Sequence, residues 1–68
     1  MSVKRLLDQL GASFVISYTP RGELEIKTDK RSHEVIVRAM MKYGIIQTNE
    51  GRWGEFTHRV VVKNFGAW

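Results

Sequence analysis

The sequence predicts an α+β protein with the element order αββαββ, in which two helices pack on one face of a four-stranded antiparallel sheet. Apolar residues recur with helical spacing in two places, and each helical pattern ends at a glycine. Each is followed by two stretches in which apolar and polar residues alternate. Packing both helices on one sheet face buries both apolar stripes at once. We expect one domain, residues 1–68, with a pseudo-repeat at 3–28 and 33–64.

The two helices are predicted from a period of 3.6 residues. In the first, residues 3–10, apolar side chains recur at i, i+3, i+4 and i+7. The second, Val35–Tyr43, is apolar over most of its circumference, so we expect burial on more than one side. Asp29 or Ser32 is its expected N-cap, because a short side-chain oxygen accepts from free N–H groups of the first turn. Gly44 is the expected left-handed residue after its end.

Alternation with a period of two predicts the four strands, at residues 13–19, 23–28, 45–48 and 55–64. The first pair is joined by Thr19–Gly22, which has proline second and glycine fourth, as in a β-turn. The second pair is joined by a predicted loop at residues 49–54. The last strand has one buried face, with Phe56, His58, Val60 and Val62, and one mostly wet and basic face, with Thr57, Arg59, Val61 and Lys63.

Length and composition restrict the class of protein. With 68 residues the chain is near the lower limit for a self-supporting core, so a homodimer is one way to add stability. It has no cysteine, which excludes disulfides and thiolate metal sites and fits a reducing compartment. There is no apolar run typical of a signal peptide or a membrane span, so we expect a soluble cytoplasmic protein without a membrane partner.

The formal net charge of +4 favours a polyanionic partner, nucleic acid above all. The candidate contact residues are cations and one tryptophan. Arg59 and Lys63 share the open face of the last strand, with Arg21 and Arg52 expected on or near it. Arg31, Arg38 and Lys42 form a competing surface on the second helix. The alternative is that charge serves solubility and that Glu23, Glu25 and Glu55 pair with these cations.

Arg52 and Trp53 stand side by side between two glycines. An exposed tryptophan beside arginine can stack on a nucleobase or anchor in a protein pocket. The alternative is that Trp53 folds over the sheet edge as part of a satellite core. At the C-terminus, Phe65 and Trp68 either close the core or dock into a partner.

The segments Met40–Ile46, Gly51–Gly54 and Val60–Val62 together resemble the last helix and wing of winged-helix DNA-binding domains. The resemblance covers about half of the chain. It implies that Arg52, at the wing tip, contacts the phosphate backbone or the minor groove, with Trp53 beside it. The first half departs from the family, since a hairpin stands where a winged helix has a second helix.

No catalytic motif is present: the sequence has no phosphate loop before a helix, no nucleophile elbow and no convincing carboxylate pair. His33 and His58 lack a further ligand at metal spacing, so we expect neither a metal site nor a cofactor. We therefore expect a non-enzymatic protein. One hypothesis is a basic nucleic-acid-binding or regulatory module that contacts phosphates. The other is a protein-binding accessory or inhibitor of phage or mobile-element type, acting on a larger cellular machine through Trp53, Phe65 and Trp68.

Overall fold

The computed structural model describes residues 3–63, and the predicted α+β class with its antiparallel sheet is confirmed. The elements are α1 Val3–Gln9, β1 Phe14–Tyr18, β2 Leu24–Thr28, α2 Lys30–Met40, β3 Ile45–Trp53 and β4 Phe56–Lys63. The sheet has the order β1-β2-β4-β3, with every neighbouring pair antiparallel. The second strand of each hairpin is therefore central, and β1 and β3 are the edges.

The core lies between the helices and one face of the sheet. On that face, Leu24 is opposite Val62 and Ile26 is opposite Val60, and all four are buried. The helices complete the core with Val3 and Leu7 of α1 and Ile36 and Met40 of α2. Because residues from both helices meet the same sheet face, the other face is left open.

Two predicted local signals are confirmed. Asp29 is the N-cap of α2, and its Oδ1 accepts a hydrogen bond from the Ser32 N–H at 2.7 Å. In the first hairpin, the Gly22 N–H donates to the Thr19 carbonyl at 2.8 Å, as a β-turn requires.

The expectation that the second helix is buried on more than one side is wrong. α2 buries a single stripe, Ser32, Ile36 and Met40. Val35 keeps 43% of its surface exposed, and Met41, just after the helix, keeps 64%. A single layer of helices on one sheet face leaves the outer side of α2 in solvent, whatever its hydropathy.

Gly44 does not adopt the predicted left-handed conformation. α2 ends at Met40, with Met41 as its C-cap, before the glycine is reached. A Cβ at Gly44 would overlap the carbonyl oxygen of Lys63 and lie 2.9 Å from Val62 Cγ1. The position requires glycine because the chain entering β3 passes directly against the end of β4.

The predicted loop at 49–54 is mostly strand. β3 continues to Trp53, and only Gly54 and Glu55 separate it from β4, with Gly54 at a positive φ of 66°. A register shift between Glu50 and Trp53 inserts one extra residue into β3, which is a β-bulge. A Cβ at Gly51 would lie 2.8 Å from the Trp53 ring, so the glycine leaves space for the indole within the bulged strand.

The winged-helix resemblance does not extend to the fold. β4 pairs with β2 as well as β3, so the second hairpin is half of the four-stranded sheet and does not stand apart as a wing. β1 and β2 lie between α1 and α2, so a hairpin and not a helix comes directly before α2.

Candidate nucleic-acid interface on the open sheet face

The sheet face turned away from the helices, here called the open face, carries most of the predicted contact residues. Pairing across the sheet places Arg59 beside Lys27 and Asn49, and Val61 beside Glu25 and Gln47. Paired residues on neighbouring strands share a face. The open face carries Val15, Ser17, Glu25, Lys27, Ile45, Gln47, Asn49, Thr57, Arg59, Val61 and Lys63.

Glu25 is the centre of an ion-pair network on this face. Its Oε2 accepts from Arg59 Nε and lies near Arg59 Nη2, both at 2.7 Å. Its Oε1 accepts from the Ser17 hydroxyl at 3.1 Å and lies 3.4 Å from Lys27 Nζ. Burial acts to raise the pKa of Glu25, but the hydrogen bonds from Arg59 and Ser17 and the nearby positive charge outweigh it, so the pKa is lowered. Arg59 is thus held in place by a carboxylate, as the solubility alternative expected for part of this surface.

Val61 is only 3% exposed, although its strand face looks away from the helices. Val61 is therefore a buried apolar position within a face that was predicted to be mostly wet. Its neighbours on the open face are the long side chains of Glu25, Gln47, Arg59 and Lys63. Aliphatic stems of such side chains cover apolar surface while their polar ends stay in water.

A concavity of about 230 Å³ brings three predicted cations together at one end of the open face. Arg21 reaches it from the β1–β2 turn, and Arg59 and Lys63 come from β4. The remaining lining residues are Thr19, Pro20, Glu23, Gln47 and Val61. Within residues 3–63, Arg21 and Lys63 form no ion pair. Among the described residues, this end of the open face therefore offers two cations without an ion-pair partner beside one that is fixed.

Sequence reasoning missed the polar lining residues of this concavity. Gln47 follows Ile46 on β3, and successive side chains of a strand point to opposite faces. The alternation could therefore have placed Gln47 on the open face. Thr19 and Pro20 have only the turn motif as a signal. Neither signal places them beside Lys63 without the order of the strands.

The hairpin tip is separate from this concavity. Ile45 pairs with Lys63 at one end of the β3–β4 hairpin, and Trp53 pairs with Phe56 at the other. Arg52 is exposed and lies about 23 Å along β3 from the end where Ile45 pairs with Lys63, from seven residues at ~3.3 Å each. Trp53 shares the helix-side face with Phe56 and is half-buried, so it does not join Arg59 on the open face.

The other predicted contact residues lie elsewhere. Arg31 and Arg38 belong to α2 and Lys42 to the turn after it, all exposed and on the opposite side of the sheet from the open face. Phe65 and Trp68 lie outside the described residues.

The two histidine rings contact each other on the helix side of the sheet, and this contact was not predicted from the sequence. Their ring centroids are 4.6 Å apart, His33 coming from α2 and His58 from β4. His58 Nδ1 shares a hydrogen bond with Thr57 Oγ1 at 2.9 Å, and its Nε2 lies 3.5 Å from Glu50 Oε1. His33 Nε2 is buried without a hydrogen-bond partner in the described chain. Residues 3–63 contain no cluster of three or more His, Cys, Asp or Glu side chains placed to hold a metal ion.

We expect acidification below about pH 6.5 to destabilise the fold through His33. Burial, and then the electrostatic interaction with the neighbouring His58 ring, lower the pKa of His33 from its ordinary value of 6.5, against smaller opposing effects of Glu50 and Glu34. The unfolded chain then binds a proton more readily than the folded one. Stability falls as the pH drops from 6.5 through the lowered pKa of the folded state.

The measurement is urea denaturation between pH 8 and 5 for the wild type and for His33→Leu. The variant should lack the part of the pH dependence that His33 provides. A pH profile parallel to that of the wild type would contradict this prediction.

Comparison of the chain with family models, curated proteins and solved structures finds no match. Neither α1 nor α2, the helices described in residues 3–63, has the length and apolar character needed to cross a membrane.

Proposed function

We propose that this protein is a small nucleic-acid-binding or regulatory module that contacts backbone phosphates through its open sheet face, with Arg21 and Lys63 as the principal contacts. The observation that carries the proposal is the concavity in which these two cations lie beside Arg59. Guanidinium and ammonium groups without a carboxylate partner are available to phosphate oxygens. The net charge of +4 adds attraction at longer range.

Arg59 has a different role in this proposal. Because Glu25 binds two of its nitrogens, its guanidinium is fixed and partly neutralised. Its Nη1 is directed to Asn49 Oδ1 at 3.4 Å. Arg59 therefore shapes the positive surface, and Arg21 and Lys63 provide most of the binding energy.

Contacts to phosphate predict low sequence selectivity. The open face, as far as residues 3–63 define it, carries no aromatic side chain on which a base would stack. Arg52, about 23 Å away along the β3–β4 hairpin, is exposed and able to make a further phosphate contact.

A second candidate function, a protein-binding accessory that modulates a larger cellular machine, is favoured by a different observation. Leu10, Val35 and Tyr43 are exposed on the helical layer, away from the open face. Exposed apolar residues grouped on one side of a small protein are typical of protein-binding surfaces. In this candidate the basic charge serves solubility.

The double variant Arg21→Glu/Lys63→Glu tests the proposed interface. We expect affinity for single- or double-stranded DNA or RNA to fall about tenfold or more at low salt, uniformly across sequences. The slope of log K against log salt should become shallower by roughly 1.4–1.8, since each of the two lost phosphate contacts removes roughly 0.7–0.9. Fluorescence anisotropy of labelled oligonucleotides is the suitable measurement, because Trp53 lies on the helix side and does not report on the open face.

Arg38→Glu/Lys42→Glu is the matched control, since it changes the net charge equally on the helical layer. We expect a much smaller loss. Equal losses in both double variants would show that only net charge matters. Unchanged affinity in Arg21→Glu/Lys63→Glu would rule out the open face, and no binding of any nucleic acid by the wild type would remove the function itself.

A further inference from the structure

A furrow runs along the outer surface of the helical layer, with α2 on one side and α1 and the α1–β1 loop on the other. It consists of two adjoining concavities of about 430 and 290 Å³, and both are lined by Leu10 and Val35. Its apolar walls are Leu6, Leu10, Val35, Ala39 and Tyr43. It lies on the opposite side of the sheet from the open face and shares no lining residue with the open-face concavity.

The spacing of the furrow residues suits a helical ligand. Leu6 and Leu10 are four residues apart on α1 and its final turn, and Val35 and Ala39 are four apart on α2. Residues four apart form ridges along a helix, and the groove between two such ridges accepts side chains of a third helix. Leu10 and Val35, at the junction of the two concavities, are 42% and 43% exposed.

The charges along the furrow are positive. Arg31 lines one concavity, and Arg38 and Lys42 line the other. The carboxylate of Asp29, which lines the first concavity, caps α2. Glu34 lies 3.3 Å from Arg38, but both side chains are about 80% exposed. Such an exposed ion pair is weak, so a carboxylate of a ligand can replace Glu34 as the partner of Arg38.

The positive charges distinguish between three possible ligands of the furrow: a second copy of the chain, nucleic acid and an acidic helix. A second copy of the chain on the same furrow would set Arg31, Arg38 and Lys42 against their equivalents, which is unfavourable. Nucleic acid satisfies the cations but leaves the apolar ridges without a complementary surface. A helix with apolar residues on one face and carboxylates beside them satisfies both.

We propose that this furrow binds an acidic amphipathic helix of a protein partner, with its apolar residues against Leu10 and Val35 and its carboxylates near Arg31, Arg38 and Lys42. The site is independent of the open face. The protein is then able to hold a polyanion on one side and a protein on the other.

The probe is a synthetic helical peptide of about 18 residues, ~27 Å long, with leucines at i, i+4 and i+7 and glutamates flanking them. A second peptide carries lysine in place of each glutamate. NMR titration of the full chain with the acidic peptide should shift the amide signals of Leu10, Val35 and Ala39. The basic peptide should bind at least ~tenfold more weakly, because like charges face each other across the interface.

Two variants locate the site. Val35→Glu should weaken binding of the acidic peptide about tenfold or more, since it places a carboxylate in the apolar wall. Met41→Glu is the matched control, because Met41 is 64% exposed but does not line the furrow, and its affinity should change less than about twofold. Arg38→Glu/Lys42→Glu should reverse the preference, binding the basic peptide better than the acidic one. Amide spectra of each variant verify that it is folded.

Several results would overturn this proposal. They are equal binding of the two peptides, shifts confined to the open face, and equal losses in Val35→Glu and Met41→Glu. Concentration-dependent dimerisation that Val35→Glu abolishes would identify a second copy as the occupant. Displacement of the peptide by DNA with shifts at Val35 would identify nucleic acid. Loss of nucleic-acid binding in Arg21→Glu/Lys63→Glu leaves the peptide result unaffected, so the two proposals fail separately.

Discussion

Replacing Gly44 by alanine is expected to lower the free energy of unfolding by about 3 kcal/mol, at the upper end of overpacking effects. The new Cβ would overlap the carbonyl oxygen of Lys63, which is backbone and cannot turn aside as a side-chain end would. It would also press on Val62 Cγ1 at 2.9 Å, and Val62 is a fully buried core residue. The pairing of β3 with the end of β4, at Ile45 and Lys63, would have to shift.

Urea denaturation followed by circular dichroism measures this loss. Gly11→Ala is the control, since Gly11 has nothing within 4 Å of its Cβ position but a φ of +71°. Its cost is the left-handed backbone alone, about 1–2 kcal/mol. A small domain of this size rarely exceeds ~3–5 kcal/mol of stability, so Gly44→Ala should be largely unfolded where Gly11→Ala is still folded. Equal midpoints for the two variants would show that the chain relaxes around residue 44.

The spacing of the apolar residues, together with the cap and turn residues at the ends of the elements, was sufficient to predict the fold class. The two-residue alternation of Leu24, Ile26, Val60 and Val62 places all four on one face, and the sheet buries that face. The Asp29 cap and the Thr19–Gly22 turn are each closed by a hydrogen bond between residues three positions apart. Their geometry therefore follows from the local sequence. Cap and turn geometry of this kind is therefore predictable from a few neighbouring residues.

The errors come from contacts between distant segments. Gly44 looks like a helix terminator because it follows an apolar helix, but its neighbour is Lys63, 19 residues later. The bulge in β3 depends on the Trp53 ring packing at Gly51 and on the pairing with β4. A local pattern that is rich in Gly and Asn does not distinguish such a bulged strand from a loop.

In the candidate site, too, local features were predicted from the sequence and contacts between distant segments were not. Alternation alone put Arg59 and Lys63 on one face of the last strand. That Glu25 binds Arg59 follows from β2 pairing with β4, and the sequence does not specify this strand order. The bulge moves Trp53 to the helix side, which separates it from the cations with which it was grouped.

Replacing Leu7 by alanine is expected to lower the free energy of unfolding by about 3 kcal/mol, towards the lower end of the range for buried leucines. Leu7 is 0% exposed, and only Val3 accompanies it as a buried residue of α1. A helix of seven residues does not persist without tertiary packing. The truncation therefore removes most of what holds α1 on the sheet, and most of the stability expected for a domain of 68 residues.

Leu10→Ala is the matched control, because it removes the same atoms three residues later in the same segment. Leu10 is 42% exposed, so its truncation should cost less than about 1 kcal/mol. Thermal and urea unfolding of both variants measure the difference, and equal losses would contradict the assigned burial. Leu10→Ala should nevertheless weaken binding of the acidic peptide to the furrow. If it leaves both stability and peptide affinity unchanged, Leu10 contributes to neither the core nor the docking surface. A selective loss of affinity would show that one short helix divides its leucines between folding and binding.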